Sequence, residues 1–334
     1  MEKKTRIQTR KEEFTVDYPE ACDFMERQAS VFWPHFEVKV EKDKQDILVN
    51  MTESERHGVI TVLKLFTQYE LNINDYWLLR VNKKFPRPAD IMPMATLFGA
   101  MENAVHAKFY SKINDELGLT HDPNFYNEYK ESDVMRQRIE WLDSVASDED
   151  DLRSLGAFTF SEGAILYSSF AFLKHFQSLG KNKLLNIVSG INFSARDEAL
   201  HAEASAWLFR TLMQEKLDAG LIDEEYCKNL EKQLREAAHK VLDHEVEIIQ
   251  EVFSKGRIEG ITEGQLKNFV KSRINMCLRN LGYTNEFEVK SNPVGEWFYA
   301  GINGYQMQDF FSSQGNQYSR DWNSNDFQFV SKGD

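Results

Sequence analysis

The sequence predicts an all-α fold, a large helical bundle, and three observations carry that prediction. No proline occurs between Pro123 and Pro293, so throughout that span every residue can donate its amide to a helix. Apolar residues recur there, and from residue 53 onward, at the three- and four-residue spacing of amphipathic helices. Start and stop signals bracket the periodic runs. Thr52-x-x-Glu55 and Thr262-x-x-Gln265 read as capping boxes, and Gly220 and Gly282 follow the ends of two runs.

In order, helices are expected near 18–31, 53–83, 89–118, 124–143, 150–179, 182–219, 223–256 and 262–281. Only Phe36–Val49 alternates enough to suggest a short strand or hairpin. Several of the helices exceed 25 residues without heptad seams, which favours a bundle over a coiled coil. From Gly301 the composition turns to Gly, Ser, Asn and Gln with scattered aromatics and no periodicity. The chain therefore divides into a helical domain, 1–300, and a flexible tail, 301–334, whose aromatics suit a partner.

Composition narrows the function classes. The 334 residues are 42% hydrophobic and 28% charged, enough to build a real core. A net charge of −13 argues against nucleic-acid binding, whose footprint is basic. Cys22, Cys227 and Cys277 are too scattered for a disulfide framework or a CxxC metal site. The polar start, MEKKTRIQTRKEEF, does not read as a signal peptide, and no apolar run approaches membrane-spanning length. The expectation is a soluble cytoplasmic protein.

Acidic residues in apolar surroundings supply the chemistry. In "SARDEALHAEASAWLF", Glu198 and His201 lie three apart on one helix face among small and apolar neighbours. Glu102 and His106 form a second pair in "FGAMENAVHAKFYSKI". Glu70 and Glu162 stand alone in "VLKLFTQYELNI" and "AFTFSEGAILYSSFAF". Burying unpaired charges costs several kcal/mol each, so something must compensate them. Four helices that each offer an acid, two of them with a histidine, match the donor pattern of ferritin-like di-iron or di-manganese bundles. Two divalent cations would balance four carboxylates, and carboxylate with imidazole suits Fe or Mn. Asp197 then suits the outer partner that a ligating histidine usually has.

These residues resemble the small subunit of class I ribonucleotide reductase. The likeness rests on "ARDEALH" at 195–201, "SVFW" at 30–33, "ERHGVITVLKLFTQYE" at 55–70, "SEGAILYSSFAF" at 161–172 and "SNPVGEW" at 291–297, in the family's order. The resemblance implies metal ligands at Glu70, Glu102, His106, Glu162, Glu198 and His201. It implies two metal ions per chain, iron first, with manganese or a mixed centre as alternatives. It implies a stable radical on Tyr110 and a relay through Trp33 and Asp197 that continues at Tyr318 in the tail. It also implies a homodimer, and a separate large subunit on which the terminal "NDFQF" stretch docks. A rival within the same fold is a di-metal oxidase or hydroxylase acting directly on a small or lipid substrate. A non-enzymatic bundle, storing iron or purely structural, would have little use for Tyr110, Trp33 and an aromatic tail together.

One departure stands out. The family pair is Glu-x-x-His, whereas this chain reads Glu102-Asn-Ala-Val-His106. Counting back from His106 reaches Asn103, and an amide cannot replace a carboxylate's charge. A one-residue helical bulge would restore Glu102, which is the expected ligand. Counted from Glu102, the radical position falls on Phe109. Counted from His106, it falls on Tyr110, the favoured assignment.

Overall fold

The computed structural model describes residues 4–300 except 123, 126 and 128–131, and omits the side chains of 67, 68, 71 and 179. Among the described residues the chain is helical and has no strand. Helix α1 is Pro19–Ser30, with proline in its first turn. Helix α2, Glu53–Asp75, opens on the Thr52/Glu55 capping box and runs on through a π turn, Tyr76–Val81, and Asn82–Lys84. Helix α3 joins Ile91–Ala100, a π turn at Met101–Ala107, and Lys108–Glu116.

Helices α4 (Asp133–Ser147), α5 (Asp151–Gly163) and α6 (Tyr167–Lys174) follow. The longest, α7, is Leu185–Asp218, and α8 is Glu224–Val252. Helix α9, Glu263–Leu281, opens on the second capping box and ends on Gly282 at φ 97°. Helix α7 packs along α5, α2 packs on the π turn of α3, and α8 and α9 flank α5. Four of these helices, α2, α3, α5 and α7, surround one interior point. Residues 293–300 are again helical, and the whole of the proposed tail, 301–334, lies outside the described residues.

Three expectations need correction. Phe36–Val49 is not a strand but a series of tight turns, at His35–Glu37, Val40–Asp43 and Asp46–Asn50. Its acids have another use. Asp43 accepts from the Ile187 amide (2.6 Å) and the Asn186 side chain (2.8 Å), and Asp46 accepts from the Leu184 amide (3.0 Å). These carboxylates satisfy the start of α7, whose own N-cap, Leu184, provides no side-chain bond. The span 150–179 is not one helix, because Leu166 takes a left-handed φ of 71° and splits it into α5 and α6. Of the helix placed at 124–143, residues 126 and 128–131 lie outside the described residues, and the described helix, Asp133–Ser147, runs past the expected end.

Candidate metal centre

The π turn of α3 resolves the register. A π turn holds one residue more than the α turn it replaces, so the extra residue is absorbed on the outside. Asn103 and Ala104 are exposed there, while Glu102 and His106 both point inward and are fully buried. His106 Nδ1 lies 3.0 Å from Glu102 Oε2. Glu70 on α2, Glu162 on α5, and Glu198 and His201 on α7 meet the pair from the other sides, and all are buried.

The donors form two overlapping groups. Glu70, Glu102, His106 and Glu198 make one, and Glu102, Glu162, Glu198 and His201 make the other; within each, the ligand atoms lie within 4.8 Å of one another. Glu102 and Glu198 belong to both. His106 Nδ1 is 3.2 Å from Glu198 and 3.8 Å from Glu70. His201 Nδ1 is 2.6 Å from Glu102 Oε1, 3.8 Å from Glu198 and 4.0 Å from Glu162. Both imidazoles thus turn the same nitrogen to the cluster.

Satisfaction of these atoms is incomplete in a telling way. Both Glu70 oxygens, Glu102 Oε1, Glu198 Oε1 and His201 Nδ1 make no hydrogen bond. The close Glu102–His201 approach is out of hydrogen-bond line, as expected of lone pairs aimed at a shared third point. Buried polar atoms are rarely left so, and divalent cations between the groups would satisfy all of them. The donor set fits: oxygen-rich, with one imidazole per group.

Electrostatics agree. Burial, then the charge of Glu102, raises Glu70 well above the usual carboxylate range. Burial and the charge of Glu198 do the same to Glu162, while burial and Glu102 push Glu198 up to about 8. At Glu102 burial acts upward too, but His106 and His201 overcome it and hold the group well below its usual range. His106 stays protonated far above its ordinary value: burial opposes this, and Glu102, Asp197 and Glu198 outweigh it. Without metal, protons stand in for cations.

Around the donors lies a second layer. His106 Nε2 is 3.2 Å from Asp197 Oδ2, which also accepts from the Trp33 indole at 2.8 Å. Trp33 stacks on His106 at 5.8 Å and meets Phe109 edge-on at 5.5 Å, and Phe109 lies 5.0 Å from Tyr110. Tyr110 is fully buried, stacked on Phe66 at 4.4 Å, and its hydroxyl makes no hydrogen bond. Burial and the charge of Glu70 raise it far above the usual phenol range. Gly190 of α7 lets Phe109 pack closely, since a Cβ there would overlap the ring. Tyr318 lies outside the described residues.

Sequence reasoning missed two partners. The Trp77 indole, on the π turn of α2, donates to Glu162. Gln28 on α1 faces His201 Nε2 at 3.0 Å. A signal existed for Gln28, which follows Ala21 and Phe24 on the buried stripe of α1.

A bundle whose four helices converge four carboxylates and two imidazoles on one buried point is a ferritin-like carboxylate–histidine protein. Comparison with known proteins goes further: the chain belongs to the ribonucleotide reductase small-chain family, whose model matches residues 10–293. It is 24% identical to a probable ribonucleoside-diphosphate reductase small subunit of Invertebrate iridescent virus 3, over 91% of this chain and 83% of that one. It is 29% identical to the beta subunit of Bacillus subtilis ribonucleoside-diphosphate reductase, over 66% and 65%. The fold matches a putative class I ribonucleotide reductase from Bacillus halodurans (TM-score 0.74, 21% identity, 85% and 99% covered). It also matches dimanganese(II) NrdF of Streptococcus sanguinis (0.74, 20%, 86% and 97%). The protein is accordingly an oxidoreductase subunit that serves ribonucleotide reduction together with a large subunit. No helix among the described residues is long and apolar enough to cross a membrane.

Proposed function

We propose that the chain holds two divalent ions, one among Glu70, Glu102, His106 and Glu198 and one among Glu102, Glu162, Glu198 and His201, and stores an oxidising equivalent on Tyr110. The observation that carries this is the pair of overlapping donor groups with unsatisfied inward atoms. Bound there, redox-active metals and oxygen supply oxidising power that side chains lack. Iron is the first expectation and manganese or a mixed centre the alternative.

The chain's own residues supply the rest. Tyr110 is a neutral phenol at pH 7, so its oxidation releases a proton as well as an electron. Phe66 and Phe109 enclose it and keep water away. Trp33, bonded through Asp197 to His106, gives a path outward from the centre. Tyr318 and the "NDFQF" end would continue that path to the large subunit. A homodimer in the cytoplasm completes the proposal. A direct oxidase would need an open apolar pocket at the donors. Among the described residues, a cavity of about 310 Å³ lies beside Tyr167, Arg196 and Arg273, and none of the six lines it.

The test is aerobic reconstitution of the full chain and of a chain lacking residues 319–334, followed by metal analysis and electron paramagnetic resonance. Both should hold two metals and give an organic radical, and only the full chain should support reduction with the large subunit. A centre that never exceeds one metal per chain would refute the proposal.

A further inference from the structure

We infer that Gln28 is a positioning residue for His201, and that its neutral amide leaves the His201 half of the centre the more weakly held. This rests on the two-metal reading above. The halves are alike in their inner donors: each has one glutamate of its own, one imidazole Nδ1 and the shared Glu102 and Glu198. They differ one layer out. Behind His106 stands a carboxylate, Asp197, at 3.2 Å; behind His201 stands an amide oxygen, Gln28 Oε1, at 3.0 Å.

An amide oxygen can only accept, so it requires the proton on His201 Nε2 and leaves the Nδ1 lone pair facing the cluster. A carboxylate in the same place strengthens an imidazole as a donor, and a neutral amide does so less. Glu162 adds to the difference. One of its oxygens already accepts from Trp77, whereas both oxygens of Glu70 are unengaged.

The glutamine itself is out of keeping with its surroundings. It is fully buried on the face of α1 that carries Ala21 and Phe24, and its Nε2 finds no partner. An apolar side chain would avoid that unmet donor. What Gln28 has in exchange is the bond to His201, made from a helix that contributes none of the six inner donors.

The experiment is an anaerobic Mn(II) titration of the full chain, with free Mn(II) followed by electron paramagnetic resonance, for wild type, Gln28→Met and Gln28→Glu. Wild type should bind two ions in two resolved steps. Gln28→Met should leave the first step unchanged and weaken the second about ten- to a hundredfold, the usual loss when such an outer partner is removed. Gln28→Glu, which puts a carboxylate behind His201 as Asp197 stands behind His106, should tighten the second step toward the first. Two equal steps in wild type, an unchanged second step in both variants, or an equal change in both steps would overturn the inference. If Gln28→Met does not fold by circular dichroism, Gln28→Glu, nearly identical in shape, decides alone. No Mn(II) binding by wild type would instead refute the two-metal reading, a separate outcome.

Discussion

Tyr110 and Phe109 sit side by side in the core, and one position along a helix is a rotation of about 100°. Both are fully buried, but their neighbours differ. Phe109 packs against the edge of Trp33, while Tyr110 lies flat on Phe66 and feels the charge of Glu70. Only Tyr110 has a hydroxyl that can lose a proton and an electron. Replacing it with Phe should abolish an organic radical signal while two metals per chain remain; Phe109→Leu should keep both. Electron paramagnetic resonance with metal analysis decides, and a radical surviving in Tyr110→Phe would transfer the assignment elsewhere. The six inner donors were legible because acids among apolar neighbours are conspicuous. Gln28 and Trp77 were not, since an uncharged polar or aromatic residue on a buried stripe reads as ordinary core.

At the scale of elements, the π turn of α3 turns a surplus residue into a surface bulge. The five-residue span Glu102–His106 betrays the surplus in the sequence. Which residue would leave the helix was not readable, because that depends on what α2 and α7 press against. The exposure of Asn103 and Ala104 identifies the outer side. Deleting Ala104 should therefore convert the turn to a regular α turn, with Glu102 and His106 three apart and both still inward. The variant should retain two metals and a melting temperature near that of wild type. A folded Ala104 deletion without metal would show that the π geometry itself is required. The break at Leu166 was hidden for a different reason. Nothing in "SEGAILYSSF" forbids a helix, and a leucine at positive φ is chosen by the packing around it rather than by local propensity. The turns of 36–49 were misread because alternation says nothing about whether a partner strand exists.

Across the whole molecule, two buried acidic sites are compensated in opposite ways. Glu245 on α8 is fully buried but accepts from Arg138 and from Ser168, so the fold neutralises it internally. Among the described residues the central cluster has imidazoles and the Trp77 indole to do so, and burial with neighbouring carboxylate charge raises Glu70, Glu162 and Glu198 so that they favour holding protons. Raised carboxylates and a raised His106 favour the metal-free fold fully below their ordinary values. That contribution is lost as pH rises through the folded values, about 8 for Glu198. Metal ions take the place of those protons, so each proton released makes loading about tenfold tighter per pH unit. Other buried groups complicate raw stability. Burial pushes Lys174 down to about 7, and His175 and His244 down to about 4, which shifts stability the other way. None of these three belongs to the donor groups, so they cancel in the difference between loaded and metal-free protein. The expected outcome is that the rise in melting temperature on adding Mn(II) grows steadily from pH 6.5 to 8, with protons released into weakly buffered solution. A metal-induced rise that is flat across this interval would mean that the cluster is already ionised without metal, and that its charge is balanced by something other than protons.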